Sequence, residues 1–177
     1  MKEIGAKDDF VVFDKEQALA SIRKSKVYGW TQASAIQCWP SVAELRTKSE
    51  ETLSKLRIKK LEWWTTINES ICSIRLTLND GTVSPQIGTR YCVNKSFDFP
   101  QEKPITTIRV RADGGSCVNQ LEFLDKYGEL IYQIIGYDSG DWHSIEVKDG
   151  ETFIGFQETH SEIKLRAIGF LTMKQKD

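Results

Sequence analysis

Cys72-Ser73-Ile74-Arg75-Leu76-Thr77-Leu78-Asn79-Asp80-Gly81 is the stretch whose reading decides the fold class. Cys72, Ile74, Leu76 and Leu78 alternate with Ser73, Arg75 and Thr77, so one face of an extended segment is apolar and the other polar. The Asn79-Asp80-Gly81 run then supplies residues that tolerate positive φ, as a hairpin turn requires. Outward from this segment the same pattern recurs. Strands are expected at 58–67, 105–111, 118–124, 130–135, 145–147, 152–157 and 165–173. Turns fall at Asp113-Gly114-Gly115, Lys126-Tyr127-Gly128, Gly136 to Asp141 and Lys148-Asp149-Gly150. Short strands separated by Gly-rich turns, with no helical period among them, specify an all-β sandwich, barrel or prism.

The pattern repeats internally. Ile74-x-Leu76 maps onto Leu121-x-Phe123 at an offset of 47, and the same offset carries Gly81 onto Gly128 and Leu121-x-Phe123 onto Ile168-x-Phe170. At an offset of 48, Gly88 falls on Gly136, Ile105 on Phe153 and Ile108 on Phe156. A fixed period of this length denotes repeated supersecondary units sharing one core. The chain ends soon after the third unit begins, so the strand at 58–67 is expected to complete it, giving a closed, approximately threefold β arrangement.

Upstream of residue 57 the character changes, and residues 1–57 read as an N-terminal arm preceding a domain at 58–177. The arm holds 10 basic and 8 acidic groups, the remainder 14 and 17. Asp14 followed by Gln17 has capping-box spacing, and Leu19 and Ile22 share a helical face, predicting a helix of about ten residues. Pro40-Ser41 with Glu44 opens a second helix over about 42–56, with Val42, Leu45, Leu53 and Leu56 as its apolar stripe. Trp30 and Trp39 lie between the two helices and need a surface to cover them. In Trp63-Trp64 the two rings point to opposite faces of one strand, so one fills the core and the other lies at the surface, under the arm or against a partner.

The 177 residues, 40% hydrophobic, suffice for one ordinary core without disulfide or metal support. A net charge of -1 gives no general attraction to phosphate, so nucleic acid is not an expected partner. No run of eighteen apolar residues is present, and the opening MKEIGAKDDF mixes charges, so neither a membrane span nor a secretory leader is expected. Cys38, Cys72, Cys92 and Cys117 are widely spaced, and only two histidines, His143 and His160, accompany them. This is no zinc pattern; buried free thiols in a reducing cytoplasm are expected.

Residues 58–173 resemble the jacalin-related lectins. The likeness rests on Ile74-Arg75-Leu76-Thr77-Leu78-Asn79-Asp80-Gly81-Thr82, on Gly114-Gly115-Ser116-Cys117-Val118-Asn119-Gln120-Leu121-Glu122-Phe123, on Phe153-Ile154-Gly155-Phe156 and on Leu165-Arg166-Ala167-Ile168-Gly169-Phe170. The resemblance implies a β-prism of three Greek-key sheets, here preceded by a helical arm. It also implies a sugar site of the Gly-x-x-x-Asp type, whose Asp accepts hydrogen bonds from sugar hydroxyls. By the closing motif that Asp position is Arg166, and its counterparts are Asn119 and Cys72. The Gly positions are Glu162, Gly115 and Asn68. Arginine has donors only, so it cannot do the work of the Asp, and Glu162 adds a side chain where close backbone approach is needed. The principal site therefore reads as degenerate, and the Gly115 to Asn119 loop as a residual sugar site.

No nucleophile elbow, metalloprotease helix or phosphate loop is present, and no catalytic residue, cofactor site or metal site is assigned. Glu158 and Asp141 read as solvated turn carboxylates. Strand alternation places Trp142 inward and His143 outward. The leading expectation is a non-catalytic structural or adaptor subunit of a larger cytoplasmic assembly, with ciliary microtubules as one candidate host. In this reading Trp30, Trp39, Leu45, Leu53 and Leu56 contact a protein partner, and deletion of residues 1–40 leaves a soluble, cooperatively folding domain. A carbohydrate-binding lectin is the alternative, and an enzyme with an unrecognised site a third.

Overall fold

The computed structural model describes residues 13–65, 71–86, 93–113, 117–162 and 164–175. Three antiparallel sheets surround one core. Sheet 1 contains β4 (Ile58–Thr65), β5 (Ile71–Leu78) and β6 (Val93–Asp98), in the order β5-β4-β6. Its fourth position, beyond β5, is taken by the segment after the Asp80-Gly81 turn, through a Thr77 to Val83 bridge and a 2.8 Å bond from Ser84 N to Leu76 O. Sheet 2 contains β7 (Thr107–Ala112), β8 (Val118–Leu124), β9 (Leu130–Ile134) and β10 (Asp141–Glu146), in the order β10-β7-β8-β9. In both sheets the fourth strand returns beside the first, which is the Greek key.

Sheet 3 is centred on β11 (Glu151–His160) and β12 (Leu165–Lys174). Its other positions are filled by the arm. β1 (Arg23–Lys24) and β2 (Tyr28–Gly29) both pair with β12, and β3 (Gln37–Trp39) pairs with β11. The third Greek key is thus closed by residues 23–39, and not by the strand at 58–67 expected from the repeat; that strand opens sheet 1. The repeat itself is real in space. β5, β8 and β12 begin 47 residues apart, at Ile71, Val118 and Leu165, and each is the second strand of its key.

Three glycines, Gly29, Gly155 and Gly169, allow the arm to lie so close. Gly29 has φ +122°, and a Cβ there would meet Arg166 O at 2.2 Å. A Cβ at Gly155 would meet Trp39 O at 2.1 Å. Side-chain bonds add to the strand pairing: Arg23 to Glu151 at 2.7 Å, Gln157 Nε2 to Ser25 O at 2.6 Å, and Thr159 Oγ1 to Trp30 O at 2.7 Å.

The arm is therefore not a helical appendage. Its described part has three short helices, α1 (Lys15–Ala20), α2 (Val42–Arg46) and α3 (Glu50–Lys55), besides its strands. Asp14 caps α1 as expected, accepting from Glu16 N and Gln17 N. The single helix expected over 42–56 is broken because Ser49 starts a new one, accepting from Thr52 N at 3.1 Å. Lys48, at the break, reaches Asp80 and Thr82 in the first hairpin turn. Leu45, Leu53 and Leu56 are 0% exposed and belong to the same core as the sheets, so residue 57 separates no two cores.

Aromatic rings pack edge to face through the core: Phe99 to Phe123 at 5.1 Å, Phe123 of sheet 2 to Phe170 of sheet 3 at 6.5 Å, and Phe170 to Phe153 within sheet 3 at 6.1 Å. Trp63 and Trp64 are both buried, Trp63 against Tyr132 and Trp64 beneath the Arg75 guanidinium. Neither is left for a partner. No helix among the described residues is long and apolar enough to cross a membrane.

Candidate functional site

β2 and β11 both run antiparallel to β12, so the arm segment after β2 and the turn after β11 lie at the same end of sheet 3. On sheet 3 this apex is built from both ends of the chain. Trp30 follows β2, and its backbone N–H donates to Arg166 O at 2.9 Å. Its indole, 39% exposed, lies beside the Arg166 guanidinium, whose central carbon is 5.6 Å from the ring centroid. Arg166 Nε donates to Ser161 Oγ at 3.1 Å, and the turn is closed by Ser161 N to Lys164 O at 2.9 Å. Glu162, in that turn, is exposed. The arm loop is fixed from the other side by His160 N donating to Ser34 Oγ at 3.1 Å.

Beneath this surface lies a carboxylate that the sequence reading left in solvent. Glu158 is paired in register with Ile168, on the face that carries Phe156 and Phe170, and its side chain is 0% exposed. Burial raises its pKa above the usual carboxylate range, opposed by the hydrogen bond and charge of His160, whose Nδ1 lies 3.0 Å from Oε2. His160 is 29% exposed and covers the pair. Spacing of i and i+2 on one strand was the available signal, but nothing local marked Glu158 as inward because Gln157 and Thr159 are buried as well. Asp141 opens β10 and is exposed.

The other apices differ. Asn119, the residual sugar acceptor of the sequence reading, is 2% exposed. Its Nδ2 donates to Ser139 O at 2.8 Å and Asp113 Oδ2 at 3.2 Å, and its Oδ1 lies 3.2 Å from Cys117 Sγ. It ties two loops together and has no side-chain surface for a sugar. Gly115, its loop mate, and Asn68 lie outside the described residues. Cys72, the counterpart in sheet 1, is buried. On sheet 2 the alternation is opposite to that expected. His143 pairs with buried Val110 and stacks on Tyr28 at 4.2 Å, while Trp142 lies outside beneath Arg109 and Arg111, whose guanidinium carbons are 4.6 and 5.7 Å from its ring.

The proposed partner contacts fare unevenly. Trp39 is buried against Phe156, and Leu45, Leu53 and Leu56 are inside the core, so none can be presented to another protein without unfolding. Only Trp30 keeps exposed surface. The tether on which the structural or adaptor reading rested is part of the prism.

No protein-family model matches the chain, and no curated protein sequence is significantly similar to it. Solved structures are. A mannose-binding jacalin-related lectin from Ananas comosus matches with a TM-score of 0.63 at 16% identity, over 87% of this chain and 99% of that one. Frutapin, a lectin from Artocarpus incisa, matches with a TM-score of 0.63 at 16% identity, over 86% and 97%. A lamprey immune protein matches with a TM-score of 0.65 at 15% identity, over 87% of this chain and 45% of that one. Residues 58–177 alone could not supply this coverage, so the likeness extends into the arm. The chain has the jacalin-like β-prism fold.

Proposed function

We propose that the chain is a non-catalytic carbohydrate-binding domain whose saccharide sits at the apex of sheet 3, between Trp30 and the 160–166 turn. The observation that carries this reading is the pairing of a part-exposed indole with the Arg166 guanidinium, supported by strand pairing on both sides. A pyranose has an apolar C–H face and a rim of polar groups. The indole covers the first, and a planar donor fork meets the second. The solved lectins of this fold, one of them described as mannose-binding, support a sugar as the ligand class.

The residue types at the apex indicate which sugar. Arg166 offers donors only, so it favours an acceptor that carries charge, as the carboxylate of a uronic or related acidic sugar does. Lys164 in the same turn adds positive charge, and Glu162 supplies an acceptor for hydroxyls. Neutral mannose, glucose and galactose lack the group that an arginine selects. Glu158 and His160 hold the floor of the apex. The wide spacing of the cysteines favours a reducing, cytoplasmic setting.

Titration calorimetry of the full chain tests the proposal. Methyl glucuronoside is expected to bind with a dissociation constant of about 1 mM, the range of a single-ring ligand, and methyl glucoside at least tenfold more weakly. Trp30→Ala and Arg166→Ala should each abolish the signal while leaving the thermal unfolding midpoint close to that of the parent. Equal binding of the two glycosides would overturn the acidic preference, and failure of both together with larger acidic oligosaccharides would overturn the carbohydrate reading.

A further inference from the structure

A cleft of about 240 Å³, open to solvent, lies at the opposite end of the prism. It sits between the last turn of α3, the 99–105 connection and the first residues of β11. Along β11, Thr152 and His160 are about 25 Å apart, so this cleft is separate from the apex of sheet 3. Its floor is apolar: Ile58, Phe99, Ile105 and Phe153, all buried. Its rim carries Lys55, Arg57 and Lys103, and among the described residues no carboxylate lines it. Glu51 reaches Lys55 only at 3.7 Å between exposed side chains, which neutralises little.

The rim is built, not loose. Arg57 Nη1 donates to Gln101 O at 2.7 Å, and Arg57 N donates to Asn79 Oδ1 at 3.0 Å. Gln175 forms part of the wall and is fixed by bonds to Leu53 O, Leu56 O and the Thr152 hydroxyl. The volume exceeds the roughly 150 Å³ of an apolar cavity that takes benzene, so one ring bearing a small acidic group fits.

We propose that this cleft binds a small organic carboxylate with one apolar ring, its ring on Phe99 and Phe153 and its carboxylate toward Arg57 and Lys103. The floor removes apolar surface from water, and the guanidinium matches a carboxylate in geometry as well as charge. Three cations of one sign in a concave site raise the local concentration of an anion. The inference is independent of the saccharide reading, because the two sites share no residue.

The test is a titration of the full-length chain followed by amide chemical shifts, with phenylacetate, 2-phenylethanol and inorganic phosphate as probes. Phenylacetate should give saturable shifts at Arg57, Gln101 and Phe153 with a dissociation constant of about 1 mM. The neutral alcohol and phosphate should each bind about tenfold more weakly, since each lacks one half of the match. Lys103→Gln, on the exposed rim, should weaken phenylacetate severalfold with the fold unchanged, and Arg57→Gln should weaken it further. Shifts that do not saturate, phosphate binding as strong as phenylacetate, or undiminished binding in Lys103→Gln and Arg57→Gln would each overturn the proposal.

Discussion

Sheets 2 and 3 have the same strand order but opposite origins. Sheet 2 is made from one continuous stretch, Thr107 to Glu146, with β7, β8 and β9 each beside the next and β10 returning to β7. Sheet 3 is made from the two ends of the chain: β11 and β12 from the C-terminal part, β1, β2 and β3 from the arm. One topology can thus be closed locally or by a segment more than a hundred residues away. The distant closure is also what brings Trp30 to Arg166.

Removing the arm should break the comparison most severely. The sequence alone suggested that residues 1–40 could be deleted with the domain intact. The structure reverses that expectation: deletion strips β12 and β11 of their outer neighbours and uncovers Phe156 by removing Trp39. The truncated chain is expected to lose its cooperative thermal transition. A sharp, parent-like melt would show that sheet 3 stands without the arm.

Glycines sharpen the contrast. Gly128, in the sheet 2 hairpin turn, has φ +77° with open space around its Cα, so Gly128→Ala should cost only the conformational term, about 1 kcal/mol. Gly29→Ala meets the same kind of backbone cost and a carbonyl oxygen 2.2 Å away as well, for about 3 kcal/mol in all. Urea denaturation of the two variants separates them, and equal costs would mean that β2 does not lie against β12.

Acid should loosen sheet 3 through Glu151. Burial raises its pKa, but the hydrogen bonds from Arg23 and from Lys148 N outweigh this and leave it below the ordinary value. A depressed carboxylate stabilises the fold above its unfolded pKa and loses that contribution as pH falls through the folded one. Arg23→Ala is therefore expected to cost about 1 kcal/mol at neutral pH, and its difference from the parent should fade in acid. A difference independent of pH would remove the ion pair from this role.

Glu158 has the opposite sign. Its raised pKa means that the folded state binds the proton more readily than the unfolded state, so its contribution to stability falls as pH rises above the unfolded carboxylate value. Glu158→Gln should raise the melting temperature at pH 7 by more than at pH 4. A loss of stability at both would show that the ion pair with His160 outweighs burial.

What the sequence revealed follows the same division. β7, β8 and β9 were legible because they show alternation and are joined by glycine-bearing turns, and β5 because its alternation runs into Asn79-Asp80-Gly81; β10, expected at 145–147, begins at Asp141. The strands of the arm are two or three residues long and carry no period of their own, and their partners are remote, so Tyr28-Gly29 read as loop. β6 was missed because Val93-Asn94-Lys95-Ser96-Phe97-Asp98 has few apolar positions to alternate. At the site, Arg166 and Glu162 were found through the resemblance. Trp30 is read from sequence as a contact for another protein, since nothing near it in sequence announces the turn it faces.

Backbone hydrogen exchange of the full chain tests the account most directly. Ser25 N donates to Phe170 O at 3.0 Å and Trp30 N to Arg166 O at 2.9 Å, so both amides belong to sheet 3 if the arm closes the prism. They are expected to exchange only through large-scale opening, at rates comparable with the amides of β7 and β8. Rapid exchange at Ser25 and Trp30 while β7 and β8 remain protected would contradict it, leaving the arm a detachable tether and the apex without its indole.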